Sequence, residues 1–304
     1  MSVSTAASRV QAEKRGNRTA AGEAHRLLPR PLLVIVTVVL VAMVLIPTSY
    51  IVLASLNTDI GVAEGQFWPS SFSLESYTKI WTTANLATGL FNSILVCAFV
   101  AVASALLGTM TAYVLVRYTF FGRLTILRGL VGLQSVPGTL MLLPVFVLYS
   151  SAGNYLGLTV VGTRWGLFVA YLTFALPFST WVMVTYLRGL PRELEEAGRM
   201  DGASTLRILF RIIVPLSGPA IVVSGIFAFL LGWNDVLFAS VLTRPETQTA
   251  AVALSIFGAT QEGGALPVYS QVMAAALVTA APVVLLYMIF QRYLVGGLTA
   301  GGVK

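Results

Sequence analysis

Six long stretches of apolar residues alternate with short polar segments along this chain of 304 residues. A transmembrane helix needs about 20 predominantly apolar residues to cross roughly 30 Å of hydrocarbon. Each stretch reaches that length, so the pattern predicts an all-α integral membrane protein with six transmembrane helices. The predicted spans are residues 32–56, 89–116, 130–149, 165–187, 219–242 and 272–290.

Prolines inside the predicted spans would disfavour soluble helices. In a membrane, neighbouring helices and hydroxyl side chains can satisfy the carbonyl groups that a proline leaves unpaired. We therefore expect kinks and not breaks at Pro47, Pro137, Pro144, Pro177 and Pro282. The first span is an uncharged run of 25 residues after a long polar segment, which favours a retained signal-anchor helix over a cleaved signal peptide.

Composition supports a membrane protein and excludes several kinds of site. Hydrophobic residues make up 57% of the chain and charged residues 10%, against about 25% charged in a soluble domain. The mean hydropathy is +0.84. The single cysteine, Cys97, and the single histidine, His25, argue against a disulfide framework and against a zinc site. None of the three lysines stands in a G-x-x-x-x-G-K-[ST] sequence, so we expect no ATPase site and no enzyme activity in this chain.

The positions of the basic residues predict the orientation in the membrane. With both termini in the cytoplasm, sixteen of the nineteen Lys and Arg residues lie on the cytoplasmic side, and only Lys79, Arg164 and Arg244 lie outside. Such an excess marks the cytoplasmic face, and it explains the net charge of +7 without nucleic acid. Residues 1–31 are polar and basic, which predicts a mostly disordered cytoplasmic tail that can contact anionic lipid.

Two polar features outside the cytoplasm each allow two interpretations. The first predicted outside loop, residues 57–88, is rich in aromatic residues, which fit either an aromatic belt at the membrane interface or a docking surface for an external protein. Near the outer end of the fifth span, Asp235 is either an interfacial carboxylate bonded to Asn234 or Trp233, or a polar lining of a substrate path.

The sequence EEAGRMDGASTLRILFRIIVP, residues 195–215, is a charged segment between the fourth and fifth spans. Glu195 and Arg199 have the spacing of a helical ion pair, Gly202 allows a left-handed turn, and Ser204 suits the start of an amphipathic helix. The pattern predicts two short helices joined by a glycine turn. Small residues at Ala197, Gly198, Gly202 and Ala203 would leave one side open for another protein, although a solvated connecting loop is the alternative.

This segment resembles the EAA loop of ABC-importer permeases, E-A-A-x₃-G-x₉-I-x-L-P. Matching positions are Glu196, Ala197, Gly202, Ile212 and Pro215, whereas Gly198 replaces the second alanine and Val214 the leucine. The sequences DGAS at 201–204, GWND at 232–235 and GLTAGGVK at 297–304 are similar to those of the carbohydrate branch, specifically the maltose-type second permease subunit. The resemblance covers essentially everything after residue 32.

The resemblance implies a type I ABC-importer permease fold at residues 32–296, with a coupling loop at 188–215 and a C-terminal cytoplasmic tail at 297–304. The implied partners are a second, different permease subunit, two cytoplasmic ATPase subunits that hold ATP and Mg²⁺, an extracytoplasmic sugar-binding protein and membrane lipid. This chain itself would carry no cofactor, metal or nucleic acid, and it would lie in the bacterial cytoplasmic (inner) membrane.

The resemblance also assigns roles to particular residues. The expected ATPase-coupling residues are Glu195, Glu196, Ala197, Gly198, Met200, Asp201, Gly202, Ala203, Ile212 and Pro215. The expected ATPase-contacting residues of the tail are Gly297, Leu298, Thr299 and Gly301, and the candidate substrate path contains Asn234 and Asp235. The implied function is a permease subunit of a sugar importer. An ABC permease for glycerol phosphate, peptide or polyamine, and a stand-alone secondary carrier, are the alternatives.

Overall fold

The first helix within the described residues belongs almost entirely to a unit of its own. A computed structural model describes residues 29–259 and 268–299, and all regular structure within those two ranges is helical. Helix α1, Arg30–Ser55, belongs to the first unit as far as Leu53, and the chain from Ala54 onward forms the second. The apolar side chains of α1 are exposed along nearly its whole length, as expected of a helix whose surroundings are lipid.

The second unit is built from twelve further named helices within the described residues. Their bounds are α2 Asp59–Ala63, α3 Glu75–Thr83, α4 Leu86–Arg117, α5 Arg123–Gln134, α6 Gly138–Leu156, α7 Arg164–Arg188, α8 Glu193–Met200, α9 Thr205–Ile208, α10 Gly218–Trp233, α11 Leu237–Leu242, α12 Ala250–Ala259 and α13 Tyr269–Thr299. A π-helical turn, Leu209–Ile213, and a short helical turn, Val214–Leu216, connect α9 to α10.

Five described helices are long and apolar enough to cross a membrane, namely α1, α4, α6, α7 and α13. A sixth crossing requires the segment Thr205–Leu216 together with α10, and these two pieces meet at an angle of 78°. The predicted first, second, fourth and sixth spans are confirmed as continuous helices. The helix of the first span ends at Ser55, one residue before its predicted end, and the other three helices extend beyond both of their predicted ends. The helices continue through Pro47, Pro144, Pro177 and Pro282, as expected.

The predicted third span, residues 130–149, is wrong because two helices meet inside it. Helix α5 ends at Gln134, and α6 begins at Gly138 after Pro137. A proline disfavours helical geometry in the residue before it and lacks an N–H group, so it suits the beginning of a helix better than the middle. The crossing is therefore α6, displaced toward the C-terminus, and Pro137 marks a break and not a kink.

The predicted fifth span, residues 219–242, is also interrupted. Helix α10 ends at Trp233, and α11 begins only at Leu237. With a rise of 1.5 Å per residue, the 16 residues of α10 span about 24 Å, less than the hydrocarbon thickness. The polar residues Asn234 and Asp235 occupy the break, where short polar side chains can bond backbone groups at helix ends.

Helices α4, α7 and α10 form the centre of the second unit and make the most extensive contacts with one another among its described helices. Small residues permit the close approach that membrane helices need. A Cβ added at Gly108 of α4 would lie 3.0 Å from the Cβ of Ser179 on α7, and one at Gly232 of α10 would lie 2.8 Å from the Tyr171 ring. These contacts fix the relative depth of the three helices.

On the opposite side from the charged segment, the loop after α1 is bound to the start of α13. The Asp59 carboxylate accepts the backbone N–H of Ser270 at 3.0 Å and the side-chain amide of Gln271 at 2.8 Å, so it caps α13 from a distant part of the chain. In the same loop Trp68 and Phe72 are exposed, which leaves both interpretations of the aromatic residues open.

Candidate functional site

The charged segment forms the predicted helix–turn–helix. Helix α8 ends at Met200, and the N–H of Ala203 donates to the carbonyl of Gly198 at 2.9 Å across the turn. Gly202 has φ +75°, the left-handed conformation that glycine adopts without strain. The Ser204 hydroxyl then accepts the N–H of Arg207 at 3.4 Å and caps α9. The prediction of a left-handed glycine turn followed by a serine cap is confirmed.

A buried carboxylate holds α8 against the end of α4. The side chain of Glu195 is 4% exposed and accepts hydrogen bonds from the Arg117 Nε at 2.5 Å and from the Tyr113 hydroxyl at 3.1 Å. The Arg117 Nη2 also donates to the carbonyl of Leu190 at 3.2 Å, in the loop before α8. Arg199, the partner expected from the sequence, lies 3.9 Å away and is mostly exposed. The principal partner of Glu195 is therefore Arg117, which the sequence did not indicate.

Gly198 lies on the same inward face of α8, one helical turn after Glu195. A Cβ at this position would lie 2.9 Å from the Cδ1 of Ile212 and 3.3 Å from the Cγ1 of Ile208. The absence of a side chain at Gly198 thus allows Ile208 and Ile212 of this same chain to approach α8. From its size alone, we expected Gly198 to leave space for another protein. Ala203 packs half-buried against the same apolar cluster, which includes Ile213.

The remaining predicted coupling residues face away from the bundle. Met200, at the end of α8, is 88% exposed. Glu196, Ala197, Asp201, Gly202 and Pro215 are also exposed. The ten predicted coupling residues are thus divided between two faces: Glu195, Gly198, Ala203 and Ile212 face inward, and the other six face outward. A single small surface at the end of α8 carries acidic, apolar and glycine positions together.

The chain leaves this segment through an irregular helical region. The buried Leu209 and Ile213 of the π-helical turn Leu209–Ile213 pack in one apolar cluster with residues of α4 and α7, and the axis then bends by 78° before α10. The Tyr186 hydroxyl on α7 donates to the carbonyl of Leu216 at 2.9 Å, next to the bend. π-helical turns are rare and often occur at functional sites. The bend is therefore held by a side chain of α7 and does not rest on its own backbone bonds alone.

Asp235 in the candidate substrate path is engaged in a helix cap. Its Oδ2 accepts the Tyr171 hydroxyl at 2.8 Å and the N–H of Ala239 at 3.0 Å, and its Oδ1 accepts the N–H of Phe238 at 3.3 Å. These partners differ from the neighbouring residues expected for an interfacial carboxylate. The neighbouring Asn234 is exposed, and its amide donates to the carbonyl of Leu230 at 2.9 Å.

The predicted tail, residues 297–304, overlaps the end of helix α13. This helix continues to Thr299, so the backbone of Gly297, Leu298 and Thr299 is helical. A long helix extends at the gain of one hydrogen bond per added residue, and glycine near its end costs only about 1 kcal/mol. Gly301 lies outside the described residues.

Comparison with known proteins agrees with this architecture. A sequence profile described as "Binding-protein-dependent transport system inner membrane component" matches residues 104–299. The trehalose transport system permease protein SugB of Mycobacterium tuberculosis is 32% identical over 261 residues, 86% of this chain and 92% of that protein. The trehalose/maltose transport system permease protein MalG of Thermococcus litoralis is 30% identical over 283 residues, 92% of this chain and 99% of that protein.

Two further similarities extend the comparison. The inner membrane ABC transporter permease protein YcjP of Escherichia coli is 34% identical over 239 residues, 78% of this chain and 82% of that protein. Among solved structures, a chain of a bacterial ABC transporter involved in the import of the acidic polysaccharide alginate aligns with a TM-score of 0.72 and 23% identity, over 88% of this chain and 99% of that chain. At that identity the likeness establishes the fold.

Proposed function

Because the chain belongs to the family of binding-protein-dependent transport system inner membrane components, we propose that it is a permease subunit of an ATP-driven sugar importer. It forms half of the translocation path and couples to ATPase subunits that hold ATP and Mg²⁺. The proposed cargo is an oligosaccharide of the maltose type. The names of SugB and MalG, which mention trehalose and maltose, support this class of cargo.

The exposed surface of the α8 turn is the observation that carries the coupling role. Glu196, Ala197, Met200, Asp201 and Gly202 project from one short helix and its turn, and no described part of this chain covers them. Met200 leaves a large flexible apolar side chain almost fully exposed beside two carboxylates. Met adapts to irregular apolar surfaces, so this projection suits insertion into a cleft of another protein. We assign that cleft to a cytoplasmic ATPase subunit.

The inward face of α8 supports a mechanical role. Arg117 and Tyr113 at the end of α4 bind Glu195, and Gly198 packs onto Ile208 and Ile212 of the following segment. A force applied to the projecting surface therefore acts on α4 through an ion pair and on α10 through the bent segment. Both termini are proposed to lie in the cytoplasm, which puts α8 on the same side as the ATPase subunits.

The proposed substrate path includes the break after α10. Asn234 is exposed, and its side-chain oxygen is available to accept a hydrogen bond from a sugar hydroxyl. Asp235 caps α11 and binds Tyr171, so its contribution is to hold the break open and to position Asn234. The second permease subunit supplies the other half of the path, and an extracytoplasmic binding protein delivers the sugar.

Purification and reconstitution test this function. The tagged full-length protein, expressed with its neighbouring genes, should copurify with an ATPase and a second permease. In proteoliposomes its ATP hydrolysis should rise when the cognate binding protein is loaded with maltose or trehalose. Stimulation by glycerol phosphate, a peptide or a polyamine instead would replace the sugar. Uptake without any copurifying ATPase would indicate a stand-alone carrier and overturn the proposal.

A further inference from the structure

A cavity of about 510 Å³ lies between α5 and α7, apart from the coupling surface and from the candidate substrate path. Its lining includes Arg128 and Arg188 together with Leu127, Val131, Trp181 and Val184. Sites for small ligands usually measure about 300–1,000 Å³, are mostly apolar and carry a few polar groups that fix the orientation of the ligand. The cavity has that size and that composition.

The basic groups at this cavity lack a counter-charge among the described residues. Neither Arg128 nor Arg188 forms an ion pair with a carboxylate in the described part of the chain, and both side chains are exposed. Beside the lining residue Leu124, the Nε of Arg123 is buried without a hydrogen-bond partner. Buried donors are normally paired, and guanidinium groups bind phosphate with two parallel hydrogen bonds. The positive charges of the two lining arginines therefore favour the binding of an anion.

The two ends of the cavity differ in polarity. Arg188 is the last residue of α7, and Trp181 lies seven residues earlier, a distance of about 10 Å along the helix. Val184 and Leu127 line the wall between them. A free phosphate would leave this apolar wall uncovered, and a sugar would leave the arginines without a counter-charge. A molecule with an anionic head and an apolar chain satisfies both ends.

The surroundings of the cavity resemble a membrane interface. The turn between α4 and α5 exposes Tyr118, Phe120 and Phe121 next to Arg123. Aromatic residues and basic residues together mark the headgroup level of a membrane protein. With the proposed orientation, this level belongs to the cytoplasmic leaflet, which carries anionic lipids, and basic pockets between helices on that side bind lipid headgroups.

We propose that the cavity between α5 and α7 binds one anionic phospholipid of the cytoplasmic leaflet. Its phosphate lies between Arg128 and Arg188, and an acyl chain lies along Leu127, Val184 and Trp181. The lipid bridges α5 to the end of α7, the residue from which the coupling loop begins. This site is additional to the proposed transport function, and it does not depend on which sugar is carried.

Lipid retention by the full transporter complex tests this site. The complex is purified in detergent, mixed with phosphatidylglycerol or phosphatidylcholine, and examined by native mass spectrometry. The wild type should retain phosphatidylglycerol at least tenfold better than phosphatidylcholine. The Arg128→Gln/Arg188→Gln variant should lose most of that preference. Arg292→Gln is the matched control, since Arg292 is an exposed arginine at the cytoplasmic end of α13 that does not line the cavity.

Two further measurements distinguish a lipid headgroup from free phosphate and test the contribution of the apolar wall. Inorganic phosphate at millimolar concentration should fail to displace the lipid, whereas Leu127→Trp should reduce retention without any change of charge. Equal retention of the two lipids by the wild type would overturn the proposal even if the arginine variants fail to fold. Full displacement by inorganic phosphate, or equal losses in Arg292→Gln and the double variant, would overturn it as well.

Discussion

Replacement of Arg117 by alanine should loosen helix α8, the proposed coupling helix, without preventing membrane insertion. The substitution removes the principal partner of Glu195 and leaves this carboxylate with the Tyr113 hydroxyl and the distant, exposed Arg199. It also removes the donor to the carbonyl of Leu190. The ion pair is almost completely buried, with 6% and 4% of the two side chains exposed. Its loss should therefore have a large effect on α8.

The magnitude follows from burial. Removal of one partner of a buried ion pair costs about 3–5 kcal/mol, because the other charge is left uncompensated. Since each 1.4 kcal/mol is a factor of ten, α8 should detach more often by a factor of about 10² to a few times 10³. Hydrogen–deuterium exchange measures this, because the amides of residues 193–203 should exchange faster while those of α6 stay unchanged. Stimulation of the ATPase by loaded binding protein should fall in parallel.

Two variants serve as controls for this effect. Arg199→Ala removes the other arginine near Glu195, but the two charged groups are 3.9 Å apart and the Arg199 side chain is mostly exposed, so the cost should be at most about 1 kcal/mol. Arg117→Met with Glu195→Gln removes both charges while the new amide can still accept the Tyr113 hydroxyl, and it should recover most of the lost protection. Unchanged exchange of α8 and normal ATPase stimulation in Arg117→Ala would refute the assigned role of the buried pair.

Five further variants examine the topology and the rest of the site. A cysteine at Thr83 should react with an impermeant reagent from outside, and one at Ser204 should not; the reverse result would invert the topology. Gly202→Leu places a side chain at φ +75°, costs about 1–2 kcal/mol and should uncouple ATP hydrolysis from transport while insertion stays normal, as measured in proteoliposomes. Gly198→Val should push α8 off Ile212 at a cost of about 1–3 kcal/mol, visible as faster exchange in α8. Deletion of residues 299–304 should weaken ATPase copurification, and unchanged assembly and transport would count against a docking tail.

The local pattern of apolar and polar residues was enough to predict most helices, but it did not show which residues the faces of each helix contact. The uncharged runs of α4, α7 and α13 exceed the membrane thickness, so hydropathy alone identified them. To predict the break at Pro137, one must decide whether this proline starts a helix or kinks one. The mean hydropathy of a span does not distinguish these two cases. Mean hydropathy also misses the early end of α10. There the carboxylate of Asp235 caps α11, which favours a break even though the residues after it are apolar.

The contacts of the coupling segment depend on residues distant in sequence. Glu195 and Gly198 are three residues apart and share a face of α8, so their spacing indicated a common environment. It could not indicate that this environment is the end of α4, 78 residues before Glu195. Arg117 appeared in the sequence only as one of many basic residues that orient the protein. A basic residue at the end of a span can thus serve both topology and a specific buried contact.

The strength of the α8 anchor sets how much work the coupling segment can transmit. Reversing a two-state equilibrium from 1:99 to 99:1 requires about 5.5 kcal/mol of differential interaction. Removal of one partner of the buried ion pair costs an amount of the same order, about 3–5 kcal/mol, because the other charge is left uncompensated. Gly198 of α8 also packs against Ile208 and Ile212 of the following segment. The ion pair and this apolar contact together hold α8 more firmly than either contact alone, so α8 can remain attached while the helices below it rearrange. The segment that carries Ile208 and Ile212 therefore contributes to the proposed coupling together with the exposed surface, because it adds an apolar contact to the ion pair.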